Sequence, residues 1–476
     1  MIEKEDVLRF IQADSGSYAK TQARRGRRYF EGRHDIKDYQ MFYYDADGEL
    51  VRDVYRTNAK IAHPFFETIV KQRSNYLLGA DGEYVISKDA RLNDELQQYF
   101  DDELRGVLKE LIESVQVEGW GFLYRYLGEN GRSRFQSANG LKVIEISARM
   151  SKDGDEYLIY YCTDKVLTEN NVETEVMRVQ LWTRSETYYY VVEGNTITLD
   201  TEQRFNPRPH VVYSLDDGYY YDTFGELPFY RIDNNGQQSD LHTIKDMIDD
   251  YDVHACSITN DIQDFSSAIY FVKGNLQGDE LDRIQKNLKS KKIAGLPMNG
   301  EIEVKTVDIP YEARQVKIEM NEQNIYHFGF GFNPNQLGDG NITNVVIRSR
   351  YTQLSLKCNE IEGKLRTLMK RLVVIVLGEI NKELGTGYTL KDVEINFERN
   401  IVTNELDDAE IGLRQASEVK VRVDTYLSLI GVLGEQKVLE MVASELDIDV
   451  SDVELDTLRQ AQIDLFSQSN ALLGAS

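Results

Sequence analysis

"SDLHTIKDMIDDYDVHACSITNDIQDF", Ser239–Phe265, carries two patterns at once. Leu241, Ile244, Ile248, Tyr251, Ala255, Ile258, Ile262 and Phe265 advance in alternating steps of three and four, the spacing of one narrow apolar stripe along an α-helix. The rest of the predicted surface holds seven aspartates, Asp240, Asp246, Asp249, Asp250, Asp252, Asp261 and Asp264, against one lysine, Lys245. Such a helix is apolar on one line and negative elsewhere. More than one of its faces must be covered or put to use.

The segments that follow have a fixed order. Residues 266–310 predict a compact α/β insert: a strand "AIYFVKG", a helix "DELDRIQKNLKSKK" and an alternating strand "GEIEVKTVDIP". Arg283, Lys286, Lys289, Lys291 and Lys292 make a basic patch on that helix, with a plain solvated face as the bland alternative. A second helix is predicted over 312–328, antiparallel to the first with the insert at one end. The loop "GFGFNPNQLGDGNITNVVIRSRY", 329–351, lies at the other. A helix from Val345 to Leu384 follows. Its stripe is Ile347, Tyr351, Leu354, Cys358, Ile361, Leu365, Leu368, Leu372, Val376, Ile380 and Leu384. At 1.5 Å per residue it would run about 60 Å, a length suited to large bundles and oligomers.

Upstream, residues 1–31 predict two short helices ending in "RRGRRYFEGRHDI", with five arginines between Arg24 and Arg33. These form either a solvated face or a contact to an acidic partner. A helix starts near His63, with Pro64 in its first turn and Gly79 at its end, and another helical stretch runs to Gly119. Residues 120–232 alternate in β-branched and aromatic residues with turns at Asn130-Gly131 and Glu193-Gly194-Asn195, an antiparallel β region. The tail, 405–476, is helical and acidic. The fold class is α+β, mainly helical.

Charge and composition exclude several functions. The chain of 476 residues carries a net charge of −25, from 80 acids and 55 bases, the wrong sign for wrapping duplex DNA or an anionic membrane. Cys162, Cys256 and Cys358 are far apart, so a reducing compartment is expected. "LVVIVLG" is the longest aliphatic run, far short of the roughly 20 residues of a membrane helix. The nearest approach to a P-loop, "GLPMNGEI" at Gly295–Ile302, has Glu301 and Ile302 where Lys and Ser/Thr are needed. "GWGFLY", "GFGFNP" and "GDGNIT" each lack the third glycine of a dinucleotide fingerprint. The six histidines form no metal-ligand spacing. No catalytic residue, cofactor or metal is expected. The rival reading is a nucleic-acid-processing enzyme with an unrecognised carboxylate metal site.

Striped helices repeated around a rotation axis would cover one another's sides and leave one face toward the axis. A negative bore holds DNA weakly and so lets it pass. The small, nearly uncharged loop could then yield to a moving duplex.

The stretches "YFEGRHDI" (29–36), "NAKIAHPFFETIVKQRSNYLLG" (58–79), "SVQVEGWGFLYRYLGENG" (114–131), "NNGQQSDLHTIKDMIDDYDVHACSITNDIQDFSSAIYFVKG" (234–274) and "VTNELDDAEI" (402–411) occur in that order. Together they resemble the portal, or head-to-tail connector, proteins of tailed bacteriophages, of the siphophage type found in Gram-positive hosts. The resemblance implies a ring, usually a dodecamer, at one capsid vertex. Double-stranded DNA would pass through it without tight binding. It implies a wing at 1–237, stem helices at 238–264 and 312–332, and a clip at 265–311. A tunnel loop at 333–344, a long wing helix and strand at 345–404, and a helical crown at 405–476 complete the set. The implied channel residues are Asn335, Gln336, Leu337, Asp339 and Asn341 in the loop, and Asp246, Asp249, Asp250 and Asp252 as the acidic stem. Arg283, Lys286, Lys289, Lys291 and Lys292 would dock partners at the clip. The implied partners are the terminase large subunit, a head-completion or adaptor protein, and the major capsid and scaffolding proteins, without a membrane. The implied location is the virion, with assembly in the host cytoplasm.

Overall fold

In the computed structural model the described residues are 2–45, 47–54, 56–167, 173–215, 218–265, 269–273, 280, 283–284, 301–305, 311–337, 349, 351–399 and 405–446. The chain divides into two compact units. One is Met1–Gln336 with Arg350–Asn400, and the other is Leu337–Ser349 with Ile401–Ser476.

The first unit opens with α1 (Lys4–Ser15) and α2 (Tyr18–Phe30), the two short helices expected. Ser17 caps α2 by accepting from the Lys20 N–H, satisfying one orphan donor of the first turn. A hairpin follows, β1 (Phe42–Tyr44) and β2 (Leu50–Arg52). Then come α3 (Phe65–Leu78), β3 (Val85–Ile86), α4 (Ala90–Gln97) and α5 (Asp102–Glu118). The single helical stretch expected before Gly119 is thus two helices. Asp101 causes the break: it sits extended and its carboxylate accepts from Leu104 N–H, starting a new helix. Gly119 ends α5 at φ 97°, and an added Cβ there would lie 2.8 Å from the Gln237 backbone, so only glycine turns the chain into the next strand. Gly26 has a different task. A Cβ on it would meet the Val117 carbonyl oxygen at 1.9 Å, so α2 and α5 cross at backbone contact.

The β region forms as expected. Strands β4 (Trp120–Leu127) and β5 (Ser133–Ala138) pair across the Asn130-Gly131 turn. Next are β6 (Val143–Ile146), β7 (Tyr157–Leu167), β8 (Glu173–Trp182), β9 (Glu186–Glu193) and β10 (Thr196–Leu199). They run in the order β10-β9-β8-β7-β6, with β11 (Arg208–Pro209) pairing β9. The β9–β10 turn is at Glu193-Gly194-Asn195, as expected. Strands β12 (Val211–Leu215) and β13 (Gly218–Asp222) form a hairpin, and β14 (Phe229–Asp233) joins β4. Val7 and Ile11 of α1 pack on Ile144, Ile159, Leu181 and Val192 of the larger sheet.

Helix α6 spans Lys245–Phe265, β15 (Ile269–Lys273) and β16 (Glu301–Lys305) pair antiparallel, and α7 spans Tyr311–Phe328. The first helix therefore starts later than its stripe. Asp240–Thr243 is a 3-10 turn capped by Ser239, which accepts from Leu241 N–H, and α6 proper begins at Lys245. Helix α8 spans Thr352–Leu384, 33 residues and about 50 Å, and ends at Gly385 with φ 67°. Its predicted stripe is its buried face: Leu354, Cys358, Ile361, Leu365, Leu368, Leu372, Val376 and Ile380 are all buried. From Ile361 onward they form the main core with α3, α5 and Leu123, Phe135, Tyr230 and Ile232 of the small sheet. Each fully buried aliphatic side chain there contributes about 1.5–3 kcal/mol relative to exposure. Strand β17 (Glu394–Ile395) then pairs β3.

The arginine cluster serves the chain itself. Arg27 donates to the buried Glu118 at 2.6 Å, Arg28 pairs with Asp35, and Arg24 donates to the Ser15 carbonyl at 2.6 Å.

The second unit is described through three helices, α9 (Glu405–Ser428), α10 (Ile430–Leu433) and α11 (Glu435–Leu446), so the expected tail is helical over 405–446, and residues 447–476 lie outside the described residues.

Candidate functional site: a helix pair, its strap and a loop root

Helices α6 and α7 pair antiparallel. Arg314, early in α7, bonds Asp261 late in α6, while Asn321 and Lys317 reach Asp250 at 2.7 and 2.8 Å. Nearer the other end Ile248, Ile325 and Tyr326 share a core with Phe66, Ile69 and Val70 of α3. The apolar stripe of α6 is buried there and emerges along the helix. Ile244 and Ile248 are covered, Tyr251, Ala255 and Ile258 are half-buried, and Ile262 is 58% exposed. On α7, Val316 is 63% and Met320 46% exposed. The pair is thus finished at one end and apolar on its outside at the other.

An extended strap, residues 57–63, rides along α6 in the opposite direction. Thr57 N–H donates to Asp264, Ala59 N–H to Asn260 at 2.7 Å, Ile61 N–H to the Cys256 Sγ at 3.3 Å and His63 N–H to Asp252 at 3.0 Å. Every second residue of the strap meets every fourth residue of the helix. Two extended residues rise about 6.6 Å and four helical residues about 6 Å, so the two repeats stay in step. The strap's donors, which no sheet partner satisfies, are met by side chains instead.

Asp252 is the hub of this strap. It is 0% exposed. The ring Nδ1 atoms of His34 and His63 lie 2.6 and 2.7 Å from its two oxygens. Burial pushes its carboxyl up, but the bonds from His34 and His63 outweigh burial and hold it below the ordinary carboxylate value. The expectation that Asp252 belongs to an exposed acidic face therefore fails. Its charge is spent inside the chain, where an unpaired carboxylate could not be buried. Asp249 accepts from Tyr29 OH and pairs with Lys245, and Asp250 is tied to α7. Asp246 is the exposed member of the four.

The loop after α7 is tied at its root. Arg73 of α3 donates to the Gly329 carbonyl, and Gln72 clasps Phe332 with its Nε2 2.8 Å from the carbonyl and its Oε1 3.1 Å from the N–H. The Phe332 ring stacks on Tyr351 at 4.5 Å, and Tyr351 stacks on Tyr76 at 5.6 Å. The chain thus leaves and re-enters the unit at nearly one point. Asn335 belongs to this root: its side chain donates to Glu322 at 2.7 Å. Gln336 and Leu337 close the 3-10 turn Pro334–Leu337. Asp339 and Asn341 lie outside the described residues, as do Lys286, Lys289, Lys291 and Lys292 of the insert, while Arg283 is exposed. Of the residues that hold the root, Gln72, Tyr76 and Glu322 gave no sequence signal. Arg73 shares the helical spacing of Phe66, Ile69, Val70 and Leu77, and Tyr351 belongs to the long stripe that begins at Ile347. His34 and His63 have no metal-ligand spacing in the sequence, and their partnership with Asp252 joins three distant segments.

The site organises backbone and charge. Among the described residues, no group of three or more histidines, cysteines or carboxylates is placed to hold a metal ion, and no helix is long and apolar enough to cross a membrane. Comparison with known proteins gives the same direction as the helix order. The family model described as "Phage portal protein, SPP1 Gp6-like" matches residues 14–447. The portal protein of Bacillus phage SPP1 is 25% identical over 394 residues, covering 81% of this chain and 75% of its own length. The portal protein of Clostridium phage phiCD119 is 22% identical over 437 residues, covering 89% of this chain and 92% of its own length. Since the family match extends from the end of α1 past α11, a span that includes the helix pair, the insert and the long helix, this chain belongs to the SPP1 Gp6-like family of phage portal proteins.

Proposed function

We propose that copies of this chain close into a ring at one vertex of a phage capsid, and that double-stranded DNA enters and leaves through its bore. The observation that carries the reading is the family match over residues 14–447. The exposed apolar residues Ile262, Val316 and Met320 support it, because a helix pair finished only at one end gains most from neighbouring copies. In this reading α6 and α7 are the stem. The insert 265–311 is the clip that docks the terminase motor and later the head-completion protein, with Arg283, Lys286, Lys289, Lys291 and Lys292 as its cationic face. Residues 333–344 are the tunnel loop, with Asn335, Gln336, Leu337, Asp339 and Asn341 nearest the DNA. Residues 1–237 and 345–404 form the wing and 405–476 the crown. The capsid and scaffolding proteins surround the ring, and the ring is part of the virion. The portal family is a structural one, which favours the conduit over a nucleic-acid-processing enzyme.

Electron microscopy of the purified full chain should show ring-shaped particles with a central hole. Class averages that contain only monomers across salt and concentration would overturn the ring. A second measurement addresses the acidic bore. Asp246→Lys exchanges an anion for a cation in every copy, so DNA should be retained at low salt and released as salt rises. Transit that is unchanged at low salt would mean that Asp246 faces a neighbouring copy.

A further inference from the structure

The β1–β2 hairpin is out of place in an isolated chain. Phe42 pairs Arg52, Tyr43 pairs Val51 and Tyr44 pairs Leu50, and all six residues are exposed. Phe42 is 54%, Tyr44 74% and Leu50 59% exposed. A two-stranded sheet with water on both faces is marginal at best, and here both faces are largely apolar. The hairpin is nevertheless firmly mounted. Asp53 N–H donates to the Met41 carbonyl at 2.8 Å to close its base, and the strap that follows is bonded turn by turn to α6. It projects as an arm from the strap that holds the helix pair.

Its charges are unspent at both ends. At the tip the Asp45 carboxylate accepts from the backbone N–H groups of Asp47 and Glu49. Among the described residues no cation lies within ion-pair distance of Asp45, Asp47 or Glu49. At the root Lys37 donates to the Lys60 carbonyl at 2.8 Å and Lys60 to the Lys37 carbonyl at 2.9 Å, and among the described residues neither ammonium has a carboxylate partner. Three strand residues, about 10 Å, separate the tip from the Met41–Asp53 base, and Lys37 and Lys60 lie beyond that base, so tip and root do not neutralise each other within the chain. An anionic tip and a cationic root on one arm are what a head-to-tail contact between identical copies requires, since such a contact joins two different patches of the same chain.

We propose that the 42–52 hairpin is an intersubunit arm. Its apolar faces are covered by a second copy of this chain, and its acidic tip meets the Lys37/Lys60 root of that copy. This rests on the reading that copies close into a ring, and it names the surface that joins them. The test is photo-crosslinking of the assembled full chain carrying Tyr44→p-benzoylphenylalanine, mixed with isotopically heavy parent chain. Light should produce a covalent ladder of the chain, with heavy–light peptide pairs. Lys37→Glu/Lys60→Glu should weaken assembly tenfold or more at low salt, and adding Asp47→Lys/Glu49→Lys should restore it. Intact rings without Tyr44 adducts between copies, intact rings with adducts only to another virion protein, or assembly indifferent to both charge changes overturns the arm and leaves the ring standing. A parent chain that never assembles overturns both.

Discussion

Replacing Arg73 with methionine should cost about 3–5 kcal/mol of stability, seen as a lower urea midpoint at unchanged slope. Arg73 is 2% exposed. One nitrogen donates to Gln116 at 2.9 Å and to Asp240 at 2.6 Å, and another to the Gly329 carbonyl. Its own carbonyl accepts from the Cys358 thiol at 3.8 Å. One side chain thus joins α3, α5, the turn before α6 and the end of α7, while the backbone carbonyl of the same residue meets α8. Burial pushes the Asp240 carboxyl up, but Arg73 and Lys357 together hold it below the ordinary value. Methionine keeps most of the buried volume, so the loss is electrostatic. Among the described residues it leaves Asp240 with Lys357 and Asn234 alone, and it takes from the Gly329 carbonyl the Arg73 donor. The double variant Arg73→Met/Asp240→Asn should recover part of the loss, because the uncompensated charge is then gone. A cationic group at the C-terminal end of α7 also suits the helix dipole. Arg73→Met should therefore open the loop root to proteolysis before the rest of the unit. A single variant that unfolds within about 0.5 kcal/mol of the parent would remove Arg73 from this role.

What the sequence made legible follows from which forces leave a periodic trace. The stripe from Tyr351 to Ile380 is the buried face of α8 because burial acts on side chains every three or four residues, and that spacing is written in the chain. The turns of the β region were legible because Asn130-Gly131 and Gly194 supply the backbone angles that tight hairpins need. The start of α6 was not, because Leu241 and Ile244 are buried like their helical successors although a 3-10 turn carries Leu241 and Ile244 only caps it. The strap left no trace at all. Its bonds run from backbone N–H groups to Asp252, Cys256, Asn260 and Asp264, and a backbone donor has no letter in the sequence. For the same reason an aspartate that caps a strap and one that faces water look alike. Charge counting therefore assigned Asp252 and Asp246 to one acidic face, whereas packing separates them.

Asp252→Ala should destabilise the chain by about 3–5 kcal/mol, the range for removing one member of a buried charged cluster. Three donors lose their acceptor together: the His34 ring, the His63 ring and the His63 N–H. Asp252→Asn should fall between the parent and the alanine variant. Its carbonyl oxygen can still accept, but its amide places a donor against a second donor, where the desolvation cost is about 1–3 kcal/mol. The sign of the pH dependence follows from the lowered carboxyl. A group whose pKa is depressed on folding adds stability above its unfolded value, about 3.9, and that stability fades as pH falls through the folded value. The parent should accordingly lose stability in acid below about pH 4, and Asp252→Asn should show a shallower acid slope with the rest of the profile kept. The same variants separate two places for this residue. If Asp252 lined a bore, the asparagine variant would melt with the parent and alter only the passage of DNA. If it holds the strap to α6, melting and acid sensitivity change first, and DNA passage changes only as far as the ring itself is weakened.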